Sequence, residues 1–186
     1  MKHESKFTSA EAADLSGLTS KQVQNWSSRG FVAGKSKDEK GKHRRFNFGE
    51  VMLLAIVKVL VSRFPVLPEP AFAIAEKFTL VGTGPSGWGD DLSGPERKPA
   101  LPFHYRHGPT RILISGDNVS VRPREMPMPK NLEDHILSVN ASQIFEQVCT
   151  GLNLDARAVL DEAYPTDASA NRAAGGSSAG GDDAAS

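Results

Sequence analysis

Cysteine is nearly missing: Cys149 stands alone among 186 residues. An internal disulfide is therefore excluded, and so is a zinc site built on several thiolates. Long apolar runs are missing too. The longest, from 51 to 61, is broken by Lys58 and falls well short of the roughly 20 residues needed to cross a bilayer. No apolar stretch follows Met1-Lys2-His3-Glu4-Ser5-Lys6, so no secretory leader is expected. A soluble, cytoplasmic protein is the default expectation, with no membrane partner. Net charge is absent as well, with 22 Lys and Arg against 22 Asp and Glu. Hydrophobic residues, at 39%, suffice for a core in one or two small domains.

The zero balance hides an asymmetry. Residues 1–63 carry 12 Lys and Arg against 6 Asp and Glu, whereas residues 64–186 carry 10 against 16. A basic first third joined to an acidic remainder is the pattern of a module that meets a polyanion. Beyond Pro165 there is no Val, Ile, Leu, Met or aromatic residue, and Ala, Gly, Ser and Asp dominate. Residues 165–186 cannot offset their ordering entropy and are expected to form a disordered tail.

The first segment is punctuated by helix starts and stops. Thr8-Ser9-Ala10-Glu11 is a capping box, and Gly17 supplies the stop. Thr19-Ser20-Lys21-Gln22 is a second box, opening a helix through Val23 and Trp26 that ends at Gly30. Two short helices around a tight Gly turn are the grammar of a helix-turn-helix. Phe31-Val32 and Phe46-Asn47-Phe48 bracket a polar, Lys-rich stretch, which suits a β-hairpin wing over residues 34–46. Asn47-Phe48-Gly49-Glu50 opens a third helix with Val51, Leu54, Val57 and Val61 as a single apolar stripe, ended by Pro65. A fourth starts at Pro68-Glu69-Pro70 and carries Ala71, Ile74, Ala75 and Phe78.

Residues 82–102 are rich in Gly, Pro, Asp and Ser and read as a linker or long loop. Gly116-Asp117-Asn118 between two alternating runs, 111–115 and 119–122, is a β-hairpin signal. Residues 135–139 suit a third strand. Asn140 or Ser142 can cap a helix bearing Ile144, Phe145, Val148 and Cys149, and a last helix covers 156–164. The expected fold is α+β. A winged helix-turn-helix spans 1–80, a linker 81–99, and a small α+β domain for dimerisation or a protein partner 100–164. Ile144, Phe145 and Val148, with the helix carrying Ala71 to Phe78, are the apolar faces expected to pair two copies.

The stretch from Phe7 to Leu18, continued by Thr19-Ser20-Lys21-Gln22-Val23-Gln24-Asn25-Trp26, Arg29-Gly30-Phe31 and Arg44-Arg45-Phe46-Asn47-Phe48-Gly49-Glu50-Val51, resembles the MerR-type winged helix-turn-helix. That resemblance covers the first third of the chain. It implies a dimeric bacterial DNA-binding regulator of transcription, cytoplasmic and associated with the nucleoid. The Gln24-Asn25-Trp26 step is also similar to winged modules of phage excisionases and terminase small subunits, which keeps a DNA-packaging or recombination role open.

The residues support DNA binding on their own terms. A helix that buries Val23 and Trp26 turns Ser20, Lys21, Gln22, Gln24, Asn25, Ser28 and Arg29 toward solvent. Gln and Asn make bidentate contacts to adenine in the major groove, and Lys or Ser suits phosphate. In the wing, Lys35, Lys37, Lys40, Lys42, His43, Arg44 and Arg45 can lie along the backbone or enter a narrow minor groove. A solvated helix face with a charged loop is the plainer reading of the same residues. From another class, a protein–protein adaptor would use the basic wing against an acidic partner.

Other signals are weaker. Gly82-Thr83-Gly84-Pro85-Ser86-Gly87 matches a dinucleotide-binding string, but no helix follows to hold a pyrophosphate. His104 and His107 flank Tyr105 and Arg106, with Pro102 and Gly108-Pro109 opposing a helix that could pair them on a metal. They read as a partly exposed loop or strand. Cys149 reads as a small core residue. No nucleophile–base pair or metal cluster can be assembled, so no enzyme, cofactor or metal is expected.

Overall fold

The computed structural model describes residues 6–32, 44–83, 95–126 and 135–165. The expected Lys-rich wing tip and the tail lie outside the described residues. Six α-helices and a three-stranded antiparallel sheet make up the described fold, in keeping with the α+β expectation. Three of its helix starts are the three capping boxes. At α1 (Ser9–Ser16), α2 (Ser20–Ser28) and α3 (Phe48–Arg63), the cap side chains of Thr8, Thr19 and Asn47 accept from the third helical amide. Glu11, Gln22 and Glu50 reach back to the cap amides, so two orphan donors are satisfied at each start. Gly17 closes α1 in the left-handed conformation, with φ 69°, and that sharp stop folds α2 back against α1.

The third helix departs from the single stripe expected of it. Val51, Met52, Leu53, Leu54, Ala55, Ile56, Val57 and Leu60 are all buried, whereas Val61 is only partly so. A helix apolar nearly all round is a buried helix, and α3 is packed by α1, α4 (Pro68–Thr79) and α5 (Ala141–Gly151). Pro68 and Pro70 sit in the first turn of α4, where a missing N–H is harmless.

Strands β1 (Thr110–Ser115), β2 (Asn118–Pro123) and β3 (Leu137–Asn140) form a sheet in the order β2-β1-β3. The expected hairpin is β1-β2, closed at Gly116-Asp117 with Ser115 opposite Asn118. Ile112, Ile114, Val119, Val121, Leu137 and Val139 belong to the core on one face of the sheet. The cap of α5 is Asn140, whose side chain accepts from the Gln143 amide. α6 (Ala156–Ala163) starts at Asp155. One apolar cluster draws on both expected domains, from Ala12, Val23 and Trp26 through α3 and α4 to Ile112, Phe145, Val148 and Leu160.

This packing corrects the expected pairing surface. Ile144, Phe145 and Val148, together with Ala71, Ile74, Ala75 and Phe78, are buried within the single chain. They fill the space between α3, α4, α5 and the sheet, and so are spent before a second copy arrives.

The expected linker is also more structured at its ends than its composition suggests. Thr83 and Arg97 exchange two backbone hydrogen bonds, at 2.9 and 2.8 Å. The Arg97 side chain, 1% exposed, donates to the carbonyls of Phe78 at 2.9 Å, Leu101 at 3.1 Å and Lys98 at 3.2 Å, and to that of Val81. Its guanidinium also lies 4.8 Å from the centre of the Phe78 ring. Phe78 is in the last turn of α4, where carbonyls lack helical partners and a cation is favoured. Arg97 is thus a C-terminal cap delivered from a distant segment. Burial pulls its pKa down to about 10, which leaves it charged at neutral pH. Gly82 permits the close approach, since a Cβ there would lie 2.8 Å from the Arg97 carbonyl oxygen.

Replacing Arg97 with Ala leaves the carbonyls of Val81 and Leu101 without a partner among the described residues, whereas those of Phe78 and Lys98 keep the amides of Ala100 and Leu101. The expected loss is about 3 kcal/mol or more, at roughly 1–3 kcal/mol for each buried group left unsatisfied. Arg97→Lys does not restore it, because an ammonium lacks the planar fork. Urea denaturation of the three proteins, compared at constant slope, measures the difference.

Candidate nucleic-acid interface

The front of α2 is a row of polar side chains with its rear fixed in the core. Lys21, Gln24, Asn25 and Ser28 are exposed, and their spacing places them on one helical face. Val23 and Trp26 are buried behind them. The Trp26 ring meets Phe72 of α4 edge to face at 5.4 Å, and Phe31 stacks on the same Phe72 at 5.2 Å. Aromatic pairs of this geometry add about 0.5–1.5 kcal/mol beyond their buried area. They fix the roll of α2, and hence the direction of its polar face.

The expected contact residues divide by what else holds them. Among the described residues, the side chains of Lys21, Gln24 and Asn25 have no hydrogen-bond partner. Ser20 is exposed at the first position of the helix. Gln22 is committed: its Oε1 accepts from the Thr19 amide and hydroxyl, both at 2.9 Å. The Ser28 hydroxyl donates to the Asn25 carbonyl at 2.8 Å. Arg29, although exposed, covers the Phe31 ring at 4.9 Å.

Phe46 does not pair with Phe31-Val32 as a simple hairpin would require. It pairs with Phe7, through two backbone bonds of 2.7 Å. Arg44 supplies the link to the other side. Its guanidinium donates to the Val32 carbonyl, stands 3.5 Å from Glu50, and lies over Phe46 at 5.0 Å. Arg45 is exposed beside it. The two arginines therefore differ: Arg44 ties residues 32 and 46 to the start of α3, and Arg45 faces outward. Lys35, Lys37, Lys40, Lys42 and His43 lie outside the described residues. No local pattern pointed to Phe72, which positions the helix from far along the chain.

The His104 region is built differently from the loop expected of it. His104 is 5% exposed and heads the 3-10 turn Tyr105–His107. Its Nδ1 accepts from the Arg106 amide at 3.2 Å, and its Nε2 lies 2.9 Å from Asp161 Oδ1. An acceptor at Nδ1 requires the proton on Nε2, which donates to Asp161. Both ring nitrogens are engaged. The Tyr105 hydroxyl donates to the same Asp161 oxygen at 2.8 Å. Among the described residues no group of three His, Cys, Asp or Glu could hold a metal. Burial pushes the Cys149 thiol up to about 11, so it stays protonated. Among these residues, too, no helix is long and apolar enough to cross a membrane.

No protein-family model and no curated protein matches this chain.

The bonds from Tyr105 and then His104 hold the Asp161 carboxyl below its ordinary pKa of 3.8. A depressed folded pKa stabilises the fold above the unfolded value, and that contribution disappears as pH falls through the folded one. Asp161→Asn should therefore lower stability at neutral pH and flatten the decline below about pH 4. Denaturation midpoints of wild type and variant across an acid pH series provide the check.

Proposed function

We propose that this chain is a sequence-specific double-stranded DNA-binding protein, a bacterial transcriptional regulator that reads the major groove with α2. One observation carries the reading: Lys21, Gln24 and Asn25 stand exposed on one helical face, their side chains without a hydrogen-bond partner among the described residues, while the Trp26–Phe72 contact holds that face in a fixed direction. Gln24 and Asn25 are neutral and serve as base readers. Lys21 meets phosphate, and Arg45 meets phosphate from the wing side. A single recognition helix spans few base pairs, so the proposed complex places two copies on two half-sites. The MerR-type resemblance of the first third supports the same reading. The charge asymmetry does so too, because the excess of Lys and Arg is confined to residues 1–63.

Selection from a randomised duplex pool, followed by immunoprecipitation of bound chromosomal DNA, tests the function directly. Discrete enrichment at promoters is the expected outcome. Absence of any selected sequence would sink the proposal.

The division of labour has a sharper signature. Gln24→Ala and Asn25→Ala should each cost about 1–3 kcal/mol of discrimination between cognate and scrambled duplex, with the salt dependence unchanged. Arg45→Ala should weaken binding to every sequence alike and flatten the slope of log affinity against log salt by about 0.9. Arg44→Ala should instead lower the melting temperature, since its guanidinium serves Val32 and Glu50. Titrations at several salt concentrations, alongside thermal melts, separate the three classes.

A further inference from the structure

We propose that the outer face of the three-stranded sheet binds a small organic oxyanion. The pleat sends Ile112 and Val121 into the core, so Arg111, Leu113, Ser120, Arg122 and Ser138 occupy the opposite face. Arg111 stands directly across from Arg122 in the β1-β2 register. Two guanidinium groups on neighbouring strands concentrate positive charge on that face. Arg124, two residues beyond Arg122, turns to the same side. A cavity of about 270 Å³ opens there, lined by Arg111, Leu113, Arg122, Arg124, Met126 and Ile136 among others.

None of the described lining residues is acidic. Glu125, the nearest carboxylate in sequence, lies instead beside Gly108 and His107. Among the described residues, the Arg111 Nε is hidden from solvent and has no hydrogen-bond acceptor, so a donor is left without a partner. Arg122 has interactions of its own within the chain, and the grip falls to Arg111 and Arg124. Their planar forks suit phosphate and carboxylate equally.

The rest of the cavity defines the body that carries the anion. Leu113, Met126 and the 40% exposed Ile136 offer an apolar floor. The volume sits near the small end of ligand pockets, which start at about 300 Å³. A duplex backbone fits less well, because it requires an extended positive field. Residues 64–186 carry more acidic than basic side chains, 16 against 10, and so oppose one. A single oxyanion on a compact apolar body matches both the chemistry and the size.

The test uses the full chain in the absence of DNA, so its result is independent of the regulator reading. Phenyl phosphate, benzoate and uncharged benzyl alcohol are titrated while the arginine Nε–H resonances and the melting temperature are followed. One or both anions should shift the Arg111 resonance and raise the melting temperature, and benzyl alcohol should do neither. The anion that responds distinguishes phosphate from carboxylate. Arg111→Gln and Arg124→Gln should each weaken binding about tenfold or more, the loss of one charge-assisted hydrogen bond. Melting temperatures measured without anion establish that both variants fold. Arg124 is exposed, and its replacement leaves the fold intact. The proposal is overturned if neither anion shifts the resonance at millimolar concentration, or if both variants bind like wild type. Inorganic phosphate binding as tightly as phenyl phosphate would remove the organic body from it. Short random duplex competing for the same resonance, with that competition lost in Arg111→Gln, would reassign the face to nucleic acid.

Discussion

The burial of α3 on nearly every side is the constraint on which the other elements depend. A helix of 16 residues is about 24 Å long, and its eight buried side chains are worth roughly 1.5–3 kcal/mol each for the larger aliphatic ones. That gain is realised only if neighbours cover more than one face. α1 and α2 cannot do so alone, being 8 and 9 residues long. The chain therefore has to return α4 and α5 to the same post. The α1–α2 pair is consequently braced by elements from both halves of the sequence. The 100–164 segment contributes its own apolar face to that shared core.

Bringing distant segments onto one helix creates a polar problem at their junctions, and arginine solves two of them. At the end of α4, Arg97 collects carbonyls that the helix leaves open and ties them to the segment that leads toward β1. Ahead of α3, Arg44 joins the Val32 carbonyl to Glu50 in that helix's first turn. Both are guanidinium groups spanning several acceptors, which an ammonium on a flexible stem does less well. They differ in that Arg44 also meets a carboxylate. Arg97 has no carboxylate among its hydrogen-bond acceptors, which are all main-chain oxygens.

Local chemistry was legible in the sequence wherever the cause lay within a few residues. Three capping boxes, the Gly17 stop and the Gly116-Asp117 hairpin all depend on neighbours at fixed short spacing, and each stands where its residues predict. What remained hidden depends on contacts across the chain. A stripe of Val51, Leu54, Val57 and Val61 is compatible with one buried face, yet the residues between them, Met52, Leu53, Ala55 and Ile56, are buried as well. Their apolar character was visible; their covering by α4 and α5 was not. Arg97 offered no signal at all, because arginine in a Pro- and Gly-rich stretch is ordinarily a solvated residue. His104 was hidden for the same reason, its carboxylate partner Asp161 arriving from α6.

Gln22 and Gln24 show how the candidate interface itself was only half legible. They are the same residue type, two positions apart, both exposed on a short helix. The capping box draws Gln22 back to Thr19 and uses its carbonyl oxygen twice, so a base contact from Gln22 has to compete with the helix start. Gln24 has no such competitor among the described residues. Arg44 and Arg45 divide in the same way, one inward and one outward. Availability is therefore set by what the local backbone already demands of a side chain, and residue type in a matching pattern does not reveal it. Within α2 the Ser28 hydroxyl is likewise spent on the Asn25 carbonyl, whereas the side chains of Lys21, Gln24 and Asn25 have no hydrogen-bond partner among the described residues. The first turn, held by its capping box, keeps the helix from fraying beneath them.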